Sequence, residues 1–273
     1  GAVGRLLPEN RLAAANIAAA FPGMPEDERR RILAASWHNL ARTAVEFFCL
    51  DEILAGYRAD RPDLSTIVIA GEEKIGALRA SGKAALFFTA HLGSGDLLAA
   101  QMTRMGLPLA VLYRPPKNPA LKQRLLAWRS TMEGEWIDSN WLAPRALVAA
   151  HHRGRHVTVS VDQRVARAPV LPFLGRPAHC NDIIARLART LDAPVYCARG
   201  VRLPDGRTRI DLFGPLDLPR DASGRVDAVA ANVMIHGIIE GWVREHPDEY
   251  LWQHDRWRLV GAAKPKKQAK GEE

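Results

Sequence analysis

Six consecutive residues, His91-Leu92-Gly93-Ser94-Gly95-Asp96, set an imidazole and a carboxylate five positions apart on a glycine-loosened turn. The apolar run at residues 84–90 reads as a buried strand leading into the turn, and residues 97–105 read as a helix leading out. Histidine is the side chain best suited to move a proton near neutral pH. A neighbouring carboxylate can fix its tautomer and hold the imidazolium. Open α/β sheets carry their sites at the carboxyl ends of strands. The chemistry implied is proton abstraction from a nucleophile. A plainer reading stands beside it, in which Asp96 only caps a helix and His91 is a hydrogen-bonded loop histidine.

Two more strand ends carry polar groups. Tyr113-Arg114-Pro115-Pro116-Lys117-Asn118-Pro119 closes one strand and opens a helix. Arg114 can hold a phosphate or a carbonyl oxygen and Asn118 can cap, or the segment is a rigid turn with a solvated arginine. Val161-Asp162-Gln163-Arg164 closes another strand. Asp162 can reach His91, bind a cation, or pair at the surface with Arg164 or Arg167. Residues 169–175 are apolar and proline-bounded, which fits a pocket-shaping loop or an irregular edge strand.

Residues 250–258 combine aromatic and basic side chains. They suit a lipid headgroup boundary, base stacking, or packing of the tryptophans on the core. His151, His152 and His156 lack a spaced acid or cysteine set, so no metal site is read. Glycine-rich phosphate loops are absent, which moves kinases, NTPases and nicotinamide enzymes out of the front rank.

These residues need a scaffold, and the pattern supplies one. Residues 9–20 form a short alanine-rich helix. Pro25-Glu26-Asp27-Glu28 starts a longer one, with proline and acids where a first turn favours them. Leu33, Trp37, Leu40, Ala44 and Phe47 mark one apolar face on it, read as a packing stripe rather than a membrane or partner surface. From residue 65, strands (65–70, 84–90, 107–113, 156–161, 194–201, 208–213) alternate with helices (72–80, 96–105, 118–132, 143–152, 181–191, 226–245). A hairpin turn falls at Pro204-Asp205-Gly206. The alternation predicts an α/β fold with a mostly parallel central sheet covered by helices. Residues 1–260 are read as one domain with a helical part at 5–56, and 261–273 as a basic disordered tail.

The chain has 273 residues, 47% of them apolar, enough for a substantial core. Thirty-eight Lys and Arg against 30 Asp and Glu give a net charge of +8. The arginine excess implies acidic partners: a phosphate-bearing lipid, an anionic membrane, an acidic carrier protein or nucleic acid. Cys49, Cys180 and Cys197 are scattered and expected as reduced thiols. No apolar run approaches the roughly 20 residues of a membrane span.

Taken together these motifs resemble the lipid A biosynthesis acyltransferases, the lauroyl and myristoyl transferases of Gram-negative bacteria, over about residues 4–258. The resemblance rests on the opening RLAAANIAAAFPGMPEDERRRI, the His91/Asp96 pair as an HX4D motif shared with glycerolipid acyltransferases, and the segments YRPPKNP, VDQR, PFLGRPA and YLWQHDRW. It implies a glycerolipid-acyltransferase-like fold and transfer of a fatty acyl chain from an acyl carrier protein, or acyl-CoA, to a hydroxyl of a phosphorylated glycolipid. It implies His91 as general base, Asp96 as the group that orients and charge-stabilises it, and Arg114, Asn118, Arg129, Asp162 and Arg164 as substrate-binding residues. No cofactor, metal or nucleic acid is implied. The expected place is the membrane surface on the cytoplasmic face of the inner membrane.

The family usually carries an arginine shortly before the glycine matching Gly134. Here Met132 stands there and Arg129 is the nearest arginine. Ser94 and Gly95 replace bulkier motif residues. An N-terminal membrane helix is also implied, and this chain starts just after where it would end. Acylation of another hydroxylated membrane lipid, or non-catalytic binding to an anionic surface, remain alternatives.

Overall fold

The computed structural model describes residues 3–115, 123 and 134–258. Among these residues a seven-stranded sheet is flanked by eight α-helices, the α/β arrangement that the alternation predicts. Helix α1 (Pro8–Ala20) begins on a proline, whose missing N–H a first turn does not need. Helix α2 (Glu26–Phe48) has three acids in its first turn, where they complement the helix dipole. A short α3 (Leu50–Ala55) follows, then β1 (Ile67–Ala70), α4 (Glu72–Ser81), β2 (Leu86–Thr89), α5 (Gly95–Arg104), β3 (Leu109–Tyr113) and β4 (Glu135–Asp138). The chain continues through α6 (Ala143–His152), β5 (His156–Ser160), β6 (Val170–Phe173), β7 (Arg176–His179), α7 (Ile183–Leu191), β8 (Val195–Arg202), β9 (Thr208–Phe213) and α8 (Ala228–Glu245). Asp227 caps α8, its carboxylate accepting from the Val229 and Ala230 N–H groups.

The sheet order is β1-β9-β8-β2-β5-β3-β4. Every neighbouring pair is parallel except β8–β9. That pair turns at the expected hairpin, where the Leu203 N–H donates to the Arg207 carbonyl at 2.8 Å. Strand β2 is central and buried on both faces. Leu86 and Phe88 enter one core with α1, α7 and α8, while Phe87 enters a second with α3, α4 and α5. That two-sided burial explains its uninterrupted apolar sequence. The carboxyl ends of β2, β3, β4 and β5 share one edge of the sheet.

One strand departs from the sequence reading and two short elements refine it. Strand β4 was not expected, and α3 falls within the helical part read at 5–56 without having been marked as a helix of its own; at four and six residues neither is long enough to show a period. Of the two readings for residues 169–175 the strand holds, since 170–173 form β6, paired with β7 in a separate antiparallel ribbon. Pro172 faces Pro177 there, at a pair that needs no backbone donor from either residue.

The apolar face of α2 also divides. Leu33 and Trp37 pack inward, with the Trp37 indole donating to Asn10 of α1, whereas Leu40, Ala44, Val45 and Phe48 are exposed. Helix α2 has 23 residues against 13 in α1, so it outruns its partner by roughly 15 Å. The helix expected at 118–132 and the tail at 261–273 lie outside the described residues, save Gln123, which is helical. No helix among the described residues is long and apolar enough to cross a membrane.

Candidate active site

The turn after β2 is fixed from both sides. The Leu92 N–H donates back to the Ala90 carbonyl, and the Leu251 N–H donates to the His91 carbonyl at 3.1 Å. Leu92 and Tyr250 form an antiparallel bridge, so residues 249–252 brace the turn. Gly93 has φ +62, and an added Cβ would overlap the Gly200 carbonyl oxygen of β8. Only glycine fits there. Ser94 occupies the N-cap position of α5, so Asp96 lies inside the first helical turn and is not the cap.

Strand register brings the second carboxylate to the histidine. Thr89 of β2 pairs with Ser160 of β5. His91 and Asp162 each lie two residues further on, so they meet above the sheet edge. One Asp162 carboxylate oxygen accepts from the His91 backbone N–H at 3.0 Å and lies 2.8 Å from His91 Nδ1. The ionised carboxylate only accepts, which places the ring proton on Nδ1. Nε2 is then the acceptor, and the Gln163 amide donates to it at 3.1 Å.

Burial is the largest single influence on His91 and disfavours its cation. The charge and hydrogen bond of Asp162, joined by the charge of Asp96, outweigh it and hold His91 above the ordinary histidine value. Burial likewise works against ionised Asp162. The charge of His91, its two hydrogen bonds and the charge of Arg256 prevail and keep Asp162 below the usual carboxylate range. The Asp162 side chain is 2% exposed, while that of His91 is 38% exposed.

A cavity of about 440 Å³ opens against His91, within the range of small-molecule sites, about 300–1,000 Å³. Leu98, Ala99 and Met102 of α5, with Val111, Leu112 and Trp136, line an apolar side. Asp96, Arg114, Gln163, Arg164 and Glu249 contribute polar groups. Arg114 is exposed at the end of β3, and half-buried Arg164 follows β5 with its N–H donating to His254 Nε2.

Of the site residues named from sequence, the structure gathers His91, Asp96, Arg114 and Arg164 around this one cavity, with Asp162 buried behind His91. Asp162, grouped from sequence with substrate binding, makes the direct hydrogen bond to His91, whereas Asp96 acts on the ring through its charge. Asn118 and Arg129 lie outside the described residues. Gln163, Glu249 and Tyr250 also line the cavity; Gln163 and Tyr250 stand in segments marked from sequence but carry no role of their own there, and Glu249 is not marked. For Gln163 a signal existed, its place beside Asp162; the other two reach the site only through folding.

The closing aromatic segment resolves to the packing reading. Tyr250, Trp252 and Trp257 are buried, with Trp252 and Trp257 stacked on each other. The arrangement can take a proton from a hydroxyl at Nε2 beside an apolar pocket. The family model for bacterial lipid A biosynthesis acyltransferase matches residues 2–259. No curated protein matches the chain.

Proposed function

Because this chain belongs to the bacterial lipid A biosynthesis acyltransferase family, and is thus an acyltransferase, we propose that it moves a fatty acyl chain from a thioester donor to a hydroxyl of a phosphorylated glycolipid such as a lipid A precursor. Acyl carrier protein or coenzyme A carries the thioester. The work is done at the membrane surface, on the cytoplasmic face of the inner membrane. One observation carries the reading: an imidazole with Nδ1 fixed on a buried carboxylate presents Nε2 to a cavity with an apolar side.

The acceptor hydroxyl replaces the Gln163 amide at Nε2 and gives up its proton there as its oxygen attacks the thioester carbonyl. Asp162 by direct contact and Asp96 by charge stabilise the imidazolium. The carbonyl electron pair moves onto oxygen, and the tetrahedral oxyanion needs a positive donor. Arg164, beside Gln163 and half-buried, serves the oxyanion. Arg114, exposed at the rim, serves the acceptor phosphates. Collapse re-forms the carbonyl and expels the thiolate, which takes the proton from Nε2. The acyl tail lies along Leu98, Ala99 and Met102.

Purified protein with acyl carrier protein or CoA thioesters and a lipid A precursor should yield an acylated product by mass spectrometry. His91→Ala should lower the rate about 10²–10⁴-fold, the scale of a lost general base. Turnover that survives this change removes the mechanism, and product on a different lipid alone removes the acceptor assignment.

A further inference from the structure

A general base that faces an open cavity can take its proton from water as well as from an alcohol, and the His91 side chain is 38% exposed. With Nδ1 engaged by Asp162, Nε2 is the ring atom open to either. The structure sets a protein group on that atom: the Gln163 side-chain amide donates to Nε2 at 3.1 Å. Gln163 lines the cavity and directly follows Asp162, so two consecutive residues beyond β5 hold the two nitrogens of one ring.

The two holds differ in kind. Asp162 is charged, 2% exposed, and tied to the backbone N–H of His91 as well as to the ring. Gln163 is neutral and half-buried. Among the described residues the contact with Nε2 is the one hydrogen bond its side chain makes, and no other group hydrogen-bonds to Nε2. Nothing else ties the amide down, so it can swing off the ring into the cavity.

We infer that Gln163 is a specificity-determining residue of the transfer reaction: its amide occupies the base until a lipid acceptor displaces it, and so denies that position to water. The inference rests on the general-base role proposed for His91. An acceptor brings the binding energy of its whole body to the exchange. A water brings its own hydrogen bond and gives up its freedom in making it, whereas the tethered amide re-forms the contact as an intramolecular event. The order of occupancy at Nε2 is then acceptor, amide, water.

The reaction held back is thioester hydrolysis. Water gives a proton to Nε2 as its oxygen bonds the carbonyl carbon. The carbonyl re-forms, the carbon–sulfur bond breaks with its electron pair on sulfur, and the thiolate takes the proton from Nε2. Fatty acid and free thiol result, and no acceptor is acylated.

The test compares Gln163→Ala and Gln163→Met with the unaltered chain on acyl carrier protein and CoA thioesters, with and without the lipid A precursor. Released thiol measures total donor consumption and mass spectrometry measures acylated product. Without acceptor, Gln163→Ala should hydrolyse the thioester about fivefold to tenfold faster than the unaltered chain, the weight of one neutral hydrogen bond. With acceptor, its ratio of hydrolysis to transfer should rise by a similar factor. Gln163→Met keeps the bulk but offers no N–H, and it should behave likewise. Hydrolysis that stays at the unaltered level in both variants overturns the inference. A rise in the alanine variant alone overturns it in favour of bulk, and a fall of hydrolysis and transfer together overturns it in favour of a direct part in the chemistry. Nitrogen-15 spectra of the neutral His91 ring supply an arm that needs neither donor nor acceptor. Gln163→Ala should move the Nε2 signal toward that of an imine nitrogen without a hydrogen bond, and an unmoved signal overturns the inference. Absent transfer by the unaltered chain counts against the acyl-transfer reading, whereas transfer with an unmoved ratio counts against this inference alone.

Discussion

His91 donates from Nδ1 to Asp162, which leaves Nε2 as the ring atom that can accept a substrate proton. Only the neutral ring works as a base, and the two carboxylates raise the pH at which it becomes neutral. The acid limb of kcat/KM should therefore lie above the ordinary histidine value of about 6.5, and activity should climb as pH rises through it. Removing either anion should move that limb down. Asp162→Asn should also lose about 10²–10⁴-fold in kcat, because an amide no longer selects the tautomer. Asp96→Asn, which leaves the Nδ1 contact intact, should lose less. A pH–rate series on both variants checks the order, and a limb that rises in either would contradict the charge argument. The sequence displays His91 and Asp96 side by side, so that pair was legible. Asp162 stands 71 residues away; a contact with His91 was one of the readings open for it, and the β2–β5 register, which no local pattern records, is what selects that reading.

At the scale of elements, the site depends on a turn clamped between β8, α2 and residues 249–252. Gly93→Ala would drive a methyl into a backbone carbonyl at a positive φ. It should destabilise the fold by about 1–3 kcal/mol, measured by urea unfolding. Arg202 of β8 donates to Glu46 and Thr43 of α2 and to Glu249, with all three charged side chains buried. Arg202→Met leaves those carboxylates without it and should lower stability by about 3 kcal/mol; an unchanged urea midpoint would show the clamp to be idle. Long elements with a clear period, such as α2, α6 and β9, were readable because local pattern and burial agree. Strand β4 was not, being four residues long with its partner β3 well back in the chain, and β6 was legible only as one of two readings of residues 169–175, since it and its adjacent partner β7 are four residues each. The aromatic closing segment was ambiguous for another reason: tryptophan and arginine suit lipid, nucleic acid or core alike. Burial decides among them, and burial is a property of the whole fold.

The molecule as a whole carries a net charge of +8, and some of its exposed apolar groups stand on the elements that line the cavity. Val45 is 62% and Phe48 58% exposed on the half of α2 that outruns α1. Leu40 and Thr43, one turn earlier, line the cavity itself. Trp141, 85% exposed, lies just past β4 on the sheet edge that also carries His91. Exposed Arg114 borders the same opening. The acceptor proposed above carries acyl chains that stay in a bilayer, so on that proposal the mouth would meet the membrane for the hydroxyl to reach Nε2. Apolar groups inserted at the interface and arginines near anionic headgroups both favour that approach, the latter by about 1 kcal/mol each. Vesicles containing anionic lipid should therefore sediment with the protein, and added salt should weaken the association. Trp141→Ser together with Phe48→Ser should reduce partitioning about tenfold or more, since burying one large apolar side chain contributes about 1.5–3 kcal/mol. Turnover on detergent-dispersed acceptor should be spared, because neither residue lines the cavity. If the double variant binds vesicles as well as the unaltered chain does, the membrane-facing edge lies elsewhere on the molecule.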